Sequence, residues 1–281
     1  MNGTGGNDLQ RLEGSASVRP EYLKLPADLR VLTRSYGIEL SPLDQQDVLT
    51  LTLAVECADR WLDAISIRSA RTGFSAAILA CLGDDNALSG DRSRIPPELS
   101  HRLDELRRLF ARRSIHDRGR HLVGELLRNS EAMRQSRRGR QFVECAVREG
   151  QLLVDLLLLV LGLAATRPFA RFMRRLAGPA NLVDKLRDAR RDFAAGELAI
   201  RPSLGFRLRL WLGILVRLGP LVSSALRRPR LLAWGLNALP EELAGVRPFL
   251  IRARAHKRSG RRFPMSSTCS GSRAGLRYHA W

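Results

Sequence analysis

Apolar residues recur every three or four positions along almost the whole chain, and alternating apolar and polar runs of β-branched residues are nearly absent. That spacing is typical of amphipathic helices, in which about 3.6 residues make one turn. The pattern therefore predicts an all-α protein. In the last two thirds of the chain we expect helices over residues 97–110, 118–136, 140–163, 168–195, 204–226 and 231–239.

The first strongly marked helix begins at Ser41. A capping serine, a proline at the first helical position and Asp44 in the first turn are the usual signals of a helix start. We expect this helix to run to residues 72–73 and a shorter apolar helix to follow from Phe74 to Leu82. Because proline interrupts helices, the pair Gly219–Pro220 predicts a break in the last long helix.

Two acidic stripes stand out in a chain whose charged residues are mostly arginine. Each consists of three carboxylates spaced three or four residues apart, which places them on one helix face: Glu56, Asp59 and Asp63 in the first stripe, and Asp184, Asp188 and Asp192 in the second. Like charges at this spacing repel each other by a few tenths of a kcal/mol per pair. A shared cation, and a divalent metal above all, would relieve that repulsion.

Composition limits the partners of these carboxylates. The chain has 281 residues, is 44% hydrophobic and carries a formal net charge of +19, which favours anionic partners. Eight of the basic residues lie in the segment 252–281, which has no acidic residue and no helical periodicity. We expect a disordered N-terminal segment over residues 1–20, one helical domain over 21–251 and a basic disordered tail over 252–281.

The four cysteines are scattered and show no C-x-x-C pair, which is typical of buried thiols in a reducing cytoplasm. The N-terminus does not have the pattern of a secretory signal, and the longest apolar stretch, residues 152–165, is too short to cross a bilayer. We therefore expect a cytoplasmic protein. The apolar segment 206–217, which carries regularly placed arginines, fits either the last helix of a bundle or a helix lying on the inner face of an anionic membrane.

Magnesium chemistry suits the acidic stripes best. Magnesium takes oxygen ligands and is usually held by one or two carboxylates together with substrate phosphates. Arg187 and Arg191 lie beside the second stripe, and arginine matches phosphate oxygens bidentately. The alternative is that both stripes are solvated helix faces with ordinary ion pairs. No histidine has zinc-ligand spacing, and the chain has no glycine-rich phosphate loop.

The residues around the stripes resemble the squalene and phytoene synthase family, within the trans-isoprenyl diphosphate synthase superfamily. Residues 186–192 read L-R-D-x-x-x-D and lead through a glycine-containing turn to Pro202, as in the family's second aspartate motif. Residues 59–63 read D-x-x-x-D and are similar to its first motif on an early helix. The resemblance covers residues 40–226. It implies the class I isoprenoid synthase fold, a single-domain helical bundle around a central cavity with magnesium at its mouth.

The resemblance implies a magnesium-dependent transferase that ionises prenyl diphosphate and couples prenyl units. By position, its catalytic residues would be Asp59, Asp63, Asp188 and Asp192. Those four would bind magnesium together with Asp184 and Glu56. The diphosphate would be bound by Lys185, Arg187 and Arg191. The expected cavity-lining residues are Phe142, Gly150, Leu153 and Leu157.

Two positions depart from the family pattern: Glu56, where relatives often have arginine, and Asp184, where asparagine is more usual. A non-catalytic relative that binds lipid or serves as a scaffold is therefore one alternative. A helical nucleic-acid-binding protein is another, but only the net charge favours it. Single-strand binders stack bases on aromatic side chains, and aromatics make up just 6% of the chain. We expect no specific nucleic acid partner.

Overall fold

Helices account for the regular secondary structure in the part of the chain that the structure describes, where no strand is found, and the all-α prediction is confirmed. A computed structural model describes residues 20–83, 95–163 and 166–229, together with residues 231, 233 and 234. Its eight helices are α1 (Pro20–Arg34), α2 (Pro42–Asp63), α3 (Arg68–Cys81), α4 (Pro97–Arg112), α5 (His116–Arg134), α6 (Gly139–Val160), α7 (Arg167–Ala194) and α8 (Leu204–Leu226).

The start of α2 follows the predicted capping pattern. Ser41 accepts a hydrogen bond from the Asp44 backbone N–H at 3.1 Å, and the Asp44 carboxylate accepts one from the Ser41 backbone N–H at 2.9 Å. This reciprocal arrangement, with Pro42 at the first helical position, satisfies backbone donors that the helix itself leaves open. The capping fixes where α2 begins and hence which of its residues share a face.

The predicted end of α2 is wrong. The helix ends at Asp63 rather than near residues 72–73, and a separate α3 begins at Arg68. Arg71 stabilises the interruption, because its Nη1 donates to the backbone carbonyls of Ile65 at 2.7 Å and Ser66 at 3.1 Å. Carbonyls freed at a helix end need such partners. The interruption contains neither glycine nor proline, so the local sequence did not indicate it.

The predicted break in α8 is also wrong, because the helix continues through Pro220. Proline deprives the carbonyl four residues earlier of its partner. That carbonyl belongs to Val216, a strongly exposed residue beside which water can replace the lost hydrogen bond. The helix α1 was not among the predicted elements. The predicted tail 252–281 lies outside the described residues, and so do the predicted segment 1–20 except Pro20 and six of the nine residues of the predicted helix 231–239.

The helices enclose two hydrophobic cores. The first joins α1 to α5 with the second half of α6, the first half of α7 and the end of α8, around residues such as Phe110 and Phe169. The second joins the first half of α6, the second half of α7 and α8, around Leu182 and Leu210. The long helix α7 packs against both α6 and α8. None of the described helices combines the length and apolarity needed to cross a membrane.

Candidate functional site

A cavity of about 170 Å³ lies where the two hydrophobic cores meet. A water molecule needs roughly 10–15 Å³ of such space, so the cavity holds on the order of ten waters. One end is apolar and is lined by side chains that are almost fully buried: Ile78, Leu82, Leu103, Leu106 and Val123. The other end is lined by charged residues of α2, α5, α6 and α7. The cavity therefore joins an apolar recess to a charged opening.

All five predicted aspartates line this one cavity. They come from two walls, with Asp59 and Asp63 on α2 and Asp184, Asp188 and Asp192 on α7. The i, i+4 spacing keeps the second set on one face of α7, where Ala189 also lines the cavity. Asp63 contributes to the electrostatic environment of Asp192, and Lys185 of α7 to that of Asp59. The two acidic helix faces thus act on each other across the cavity.

The wall formed by α2 is held by a residue that the sequence did not point to. Arg134, the last residue of α5, forms an ion pair with Asp63 and lies 3.7 Å from an oxygen of Asp59. Its side chain is only 11% exposed. Burial alone would lower the pKa of Arg134, but the charge of Asp63 and the hydrogen bond to it outweigh burial and raise that pKa. The guanidinium is therefore a permanent positive charge inside the cavity.

The wall formed by α7 is fixed by a close crossing with α6 at Gly150. A Cβ at this position would overlap the carbonyl oxygen of Ala177 and lie 3.1 Å from the Cβ of Asn181. Asn181 Nδ2 donates to the Ala146 carbonyl at 2.6 Å and to Glu149 Oε2 at 3.0 Å. The absence of a side chain at Gly150 is thus what lets the two helix backbones approach each other.

At the same crossing, Lys185 pairs with Glu149 over 3.1 Å, and the Glu149 side chain is 10% exposed. Burial alone would lower the pKa of Lys185. The carboxylates of Glu149, Asp59 and Asp184 outweigh it and hold that pKa above its ordinary value. Lys185 therefore stays charged and faces acidic groups on α2, α6 and its own helix.

The Asp59 carboxyl is poorly compensated. Burial raises its pKa to about 7, and the charge of Asp63 adds to that shift, while Lys185 and Arg134 oppose it only in part. The side chain is 44% exposed, and it lines the cavity. Close to neutral pH, Asp59 thus exchanges between a protonated and a charged form, and a cation arriving in the cavity would favour the charged form.

Glu197 joins the cavity from the turn after α7. Gly196 has a positive φ of 79°, a conformation that glycine adopts without strain, and the Glu197 backbone N–H donates to the Asp192 carbonyl at 2.8 Å. This turn brings Glu197 to the charged end of the cavity. Burial, then the charges of Asp63 and Asp192, raise the pKa of Glu197 to about 7.

Arg191 is the predicted diphosphate ligand that reaches the opening. It lies 2.9 Å from Asp188 and 3.4 Å from Asp192, and its side chain is exposed. Burial, followed by the charge of Asp188, raises the pKa of Asp192. Arg191 therefore screens the outer aspartates from a position that solvent and a ligand can also reach.

The cavity contains most, but not all, of the predicted site residues. Phe142, Leu153 and Lys185 line it together with Arg191 and the five aspartates. Four others do not line it: Glu56, Gly150, Leu157 and Arg187. Glu56 and Leu157 are buried in the protein interior, and Gly150 lies against the backbone of α7. Arg187 is exposed on α7.

Five polar lining residues were not predicted: Ser130, Arg134, Glu149, Asn181 and Glu197. Arg134 lies on a helix with neither aspartate motif, so only the tertiary structure reveals it. Glu149 had a signal, because a glycine within a helix often marks a close helix crossing and Gly150 is its neighbour. Asn181 and Glu197 flank the second motif, but nothing in their spacing distinguished them from solvated residues.

The donor set fits magnesium held together with phosphate better than a metal bound by protein alone. The cavity is lined by seven carboxyl groups and three basic side chains, Arg134, Lys185 and Arg191. The excess of acid favours bound cations. Among the described residues, however, no three ligand side chains are gathered closely enough to bind one ion. Magnesium needs only one or two carboxylates when phosphate oxygens and water complete its shell.

No family model, curated protein or solved structure matches this chain. The resemblance to the squalene and phytoene synthase family remains a prediction from two short motifs and the order in which they occur.

Proposed function

We propose that the protein is a magnesium-dependent enzyme of isoprenoid biosynthesis, a transferase that ionises a prenyl diphosphate and couples the prenyl group. The observation that carries this proposal is the cavity itself. One opening joins two facing aspartate walls to an apolar recess. A prenyl diphosphate has the matching distribution of charge, with a diphosphate at one end and a hydrocarbon chain at the other.

Residues of both walls have distinct parts in the proposed reaction. Asp59 and Asp63 on α2, and Asp188 and Asp192 on α7, would hold magnesium, which when bound stabilises the negative charge that develops on the departing diphosphate. Arg191 at the opening would orient the diphosphate through charge-assisted hydrogen bonds. The resemblance also assigns Lys185 to the diphosphate, and its pairing with Glu149 keeps it charged beside Asp59.

The apolar end would protect the reacting prenyl group from water. Leu103, Leu106 and Ile78 are almost completely buried and present no polar atom to the hydrocarbon. A carbocation formed after diphosphate departure would react with any water nearby, so the recess must be dry for coupling to succeed. Phe142 and Leu153 line the same cavity and extend its apolar surface.

The direct test is incubation of the full chain with magnesium and labelled prenyl diphosphates, with pyrophosphate release as the readout. Asp188→Asn should lower the rate on the order of 100-fold or more, as removal of a charge-stabilising group typically does. Asp104→Asn on α4 is the control, because Asp104 is a partly exposed aspartate outside the cavity. Equal rates for Asp188→Asn and Asp104→Asn would contradict the proposal.

A non-catalytic lipid-binding module is the second candidate, and the ion pairs of the cavity favour it. Arg134 with Asp63, Lys185 with Glu149 and Arg191 with Asp188 already compensate part of the acid without any metal. Such a module would be stabilised by prenyl diphosphate in the absence of magnesium and would release no pyrophosphate. A cytoplasmic location suits either candidate, since the thiols of Cys57 and Cys145 are free.

A further inference from the structure

The helix α8 presents an apolar stripe to solvent along its whole length. The stripe consists of large side chains that are each 52–75% exposed: Leu204, Leu208, Leu212, Leu215, Val216, Val222 and Leu226. At about 100° per residue they fall within an arc of roughly 120°. The opposite face, with Phe206, Leu210 and Ile214, packs into the second core. A continuous exposed face of this kind marks an interaction surface rather than scattered apolar residues.

An arginine cleft adjoins the stripe. This surface cleft of about 490 Å³ lies between α6, α7 and α8, and none of the described residues that line it is acidic. Its basic residues are Arg167, Arg171, Arg174, Arg175 and Arg217. Arg174 pairs with Asp155 at 2.6 Å, and Arg217 donates to the Gly213 carbonyl at 3.0 Å.

The remaining arginines of the cleft have no acidic partner among the residues that the structure describes. Arg167, Arg171 and Arg175 are four residues apart and share one face of α7, where their charges repel each other. Within the described part of the chain, none of the three forms a hydrogen bond or a salt bridge. All three are exposed. The cleft therefore favours an anionic partner that can neutralise several guanidinium groups together.

The apolar stripe and the arginine cleft form one surface. Val216 belongs to the stripe and also lines the cleft. Pro220, one turn further along α8, lines the cleft as well. We propose that this surface docks the protein on an anionic lipid bilayer. The stripe would enter the boundary between headgroups and acyl chains, and the arginines would bind lipid phosphates. This inference does not depend on the proposed enzymatic activity.

Other partners fit this surface less well. A nucleic acid would neutralise the arginines but leave the apolar stripe in water. A second copy that paired through the apolar stripe would cover the stripe but supply no anionic group that the structure shows for the arginine cleft. An anionic bilayer satisfies both halves of the surface at once.

The test is co-sedimentation of the full chain with vesicles of phosphatidylcholine alone or mixed with phosphatidylglycerol. Arg171→Glu with Arg175→Glu should weaken binding to the anionic vesicles at least about tenfold, since each basic residue near such a surface contributes roughly fivefold. The matched control is Arg118→Glu with Arg128→Glu. It makes the same charge change at exposed residues of α5, a helix that does not line the cleft.

A second pair of substitutions tests the stripe. Leu208→Asn with Leu212→Asn should also weaken binding to the anionic vesicles. The loss should persist in 0.5 M salt, where the Debye length falls to roughly 4 Å and the arginine charges are screened. Both positions are exposed, so an unchanged melting temperature is the check on folding. For the cleft, Arg171→Gln with Arg175→Gln is a milder version of the charge test, because it removes the two positive charges without adding negative ones.

Three results would overturn the proposal. The first is an equal loss of binding in the cleft variant and its α5 control, which would assign the affinity to net charge alone. The second is full vesicle binding by the stripe variant. The third is a dimer in light scattering that the stripe variant converts to a monomer, which would identify a second copy as the occupant.

Discussion

Single side chains decide how charge is distributed in the cavity. Arg134 compensates Asp63 directly, and Lys185 compensates Glu149. Asp59 has no such close partner, because its nearest guanidinium atom is 3.7 Å away and belongs to a residue already paired with Asp63. Burial, and after it the charge of Asp63, therefore raises the pKa of Asp59.

That raised pKa makes stability depend on pH. A carboxyl whose pKa rises from 3.8 in the unfolded chain to about 7 in the folded protein binds its proton more tightly when folded. Its contribution to stability is fully present below pH 3.8 and is lost as the pH rises through 7. Glu197, whose pKa is also raised to about 7, acts in the same direction. In metal-free buffer the protein should therefore lose stability between about pH 4 and pH 8.

Asp59→Asn should remove part of this loss. At pH 8 in EDTA we expect the variant to be more stable than the parent by about 1 kcal/mol, a rise in melting temperature of about 2–4 °C. This value is far below the full linkage energy, because the side chain is 44% exposed and solvent screens its interactions. At pH 5 the difference should be smaller, because folded Asp59 is then largely protonated, and it should close only below pH 3.8, where the unfolded carboxyl is protonated as well. Thermal melts across this range give the measurement.

Asp104→Asn is the matched control for the pH prediction. Asp104 is 40% exposed and lies 3.8 Å from Arg107, so its exposure and its distance to the nearest arginine resemble those of Asp59. It lies outside the cavity. A pH-dependent gain of equal size in this control would show that the effect comes from the net charge of the protein.

Only some of the residues that line the cavity could be predicted from the sequence. The aspartate stripes were visible because a period of three or four residues places carboxylates on one helix face, and the five aspartates do line one cavity. Arg134 and Glu197 were not, because their positions depend on how α5 ends and on the turn at Gly196. Glu56 shows the opposite error, since a shared helix face did not bring it to the cavity.

At the level of whole helices, the crossing of α6 and α7 controls the shape of the charged wall. Gly150 lets the two backbones meet, and Asn181 and Lys185 of α7 then reach Glu149 of α6. Gly150→Ala should destabilise the protein by about 1–3 kcal/mol, because the added methyl overlaps the backbone at Ala177 and the helices must separate. Urea denaturation would measure the loss.

Gly205→Ala is the control for the Gly150→Ala substitution at the crossing of α6 and α7. Gly205 lies in the first turn of α8, and a Cβ there would meet no atom within 4 Å. Alanine is the better helix former, so this change should be neutral or stabilising by up to about 1 kcal/mol. A Gly150→Ala variant as stable as Gly205→Ala would contradict the view that close approach defines this wall.

Most helices could be predicted from apolar periodicity, because each buries one face against a core. Their ends were harder to predict. The end of α2 depends on Arg71, a residue of the next helix, and the continuity of α8 through Pro220 depends on an exposed backbone. Both are tertiary effects that override local preferences for helix and break.

On the scale of the whole molecule, the cavity lies between two cores that also meet at Leu218 of α8. The α2 wall is part of the first core, while the aspartates of α7 lie on the half of that helix that packs into the second. A ligand that bridges Asp59 and Asp188 would therefore tie the two cores together. Its binding should stabilise the folded protein, because the unfolded chain cannot assemble the two walls.

This bridging can be tested with magnesium and inorganic pyrophosphate as the probe. Together they should raise the melting temperature of the parent protein, and Asp59→Asn or Asp188→Asn alone should abolish most of the rise. If both walls hold one ligand, the double variant should lose little more than either single variant, with an interaction energy above about 1 kcal/mol. Asp104→Asn combined with Asp188→Asn should instead be additive within about 0.5 kcal/mol, since Asp104 lies outside the cavity. Additive losses for Asp59 and Asp188 would mean that each wall binds its cation independently, and the two aspartate helices would then not form a single diphosphate site.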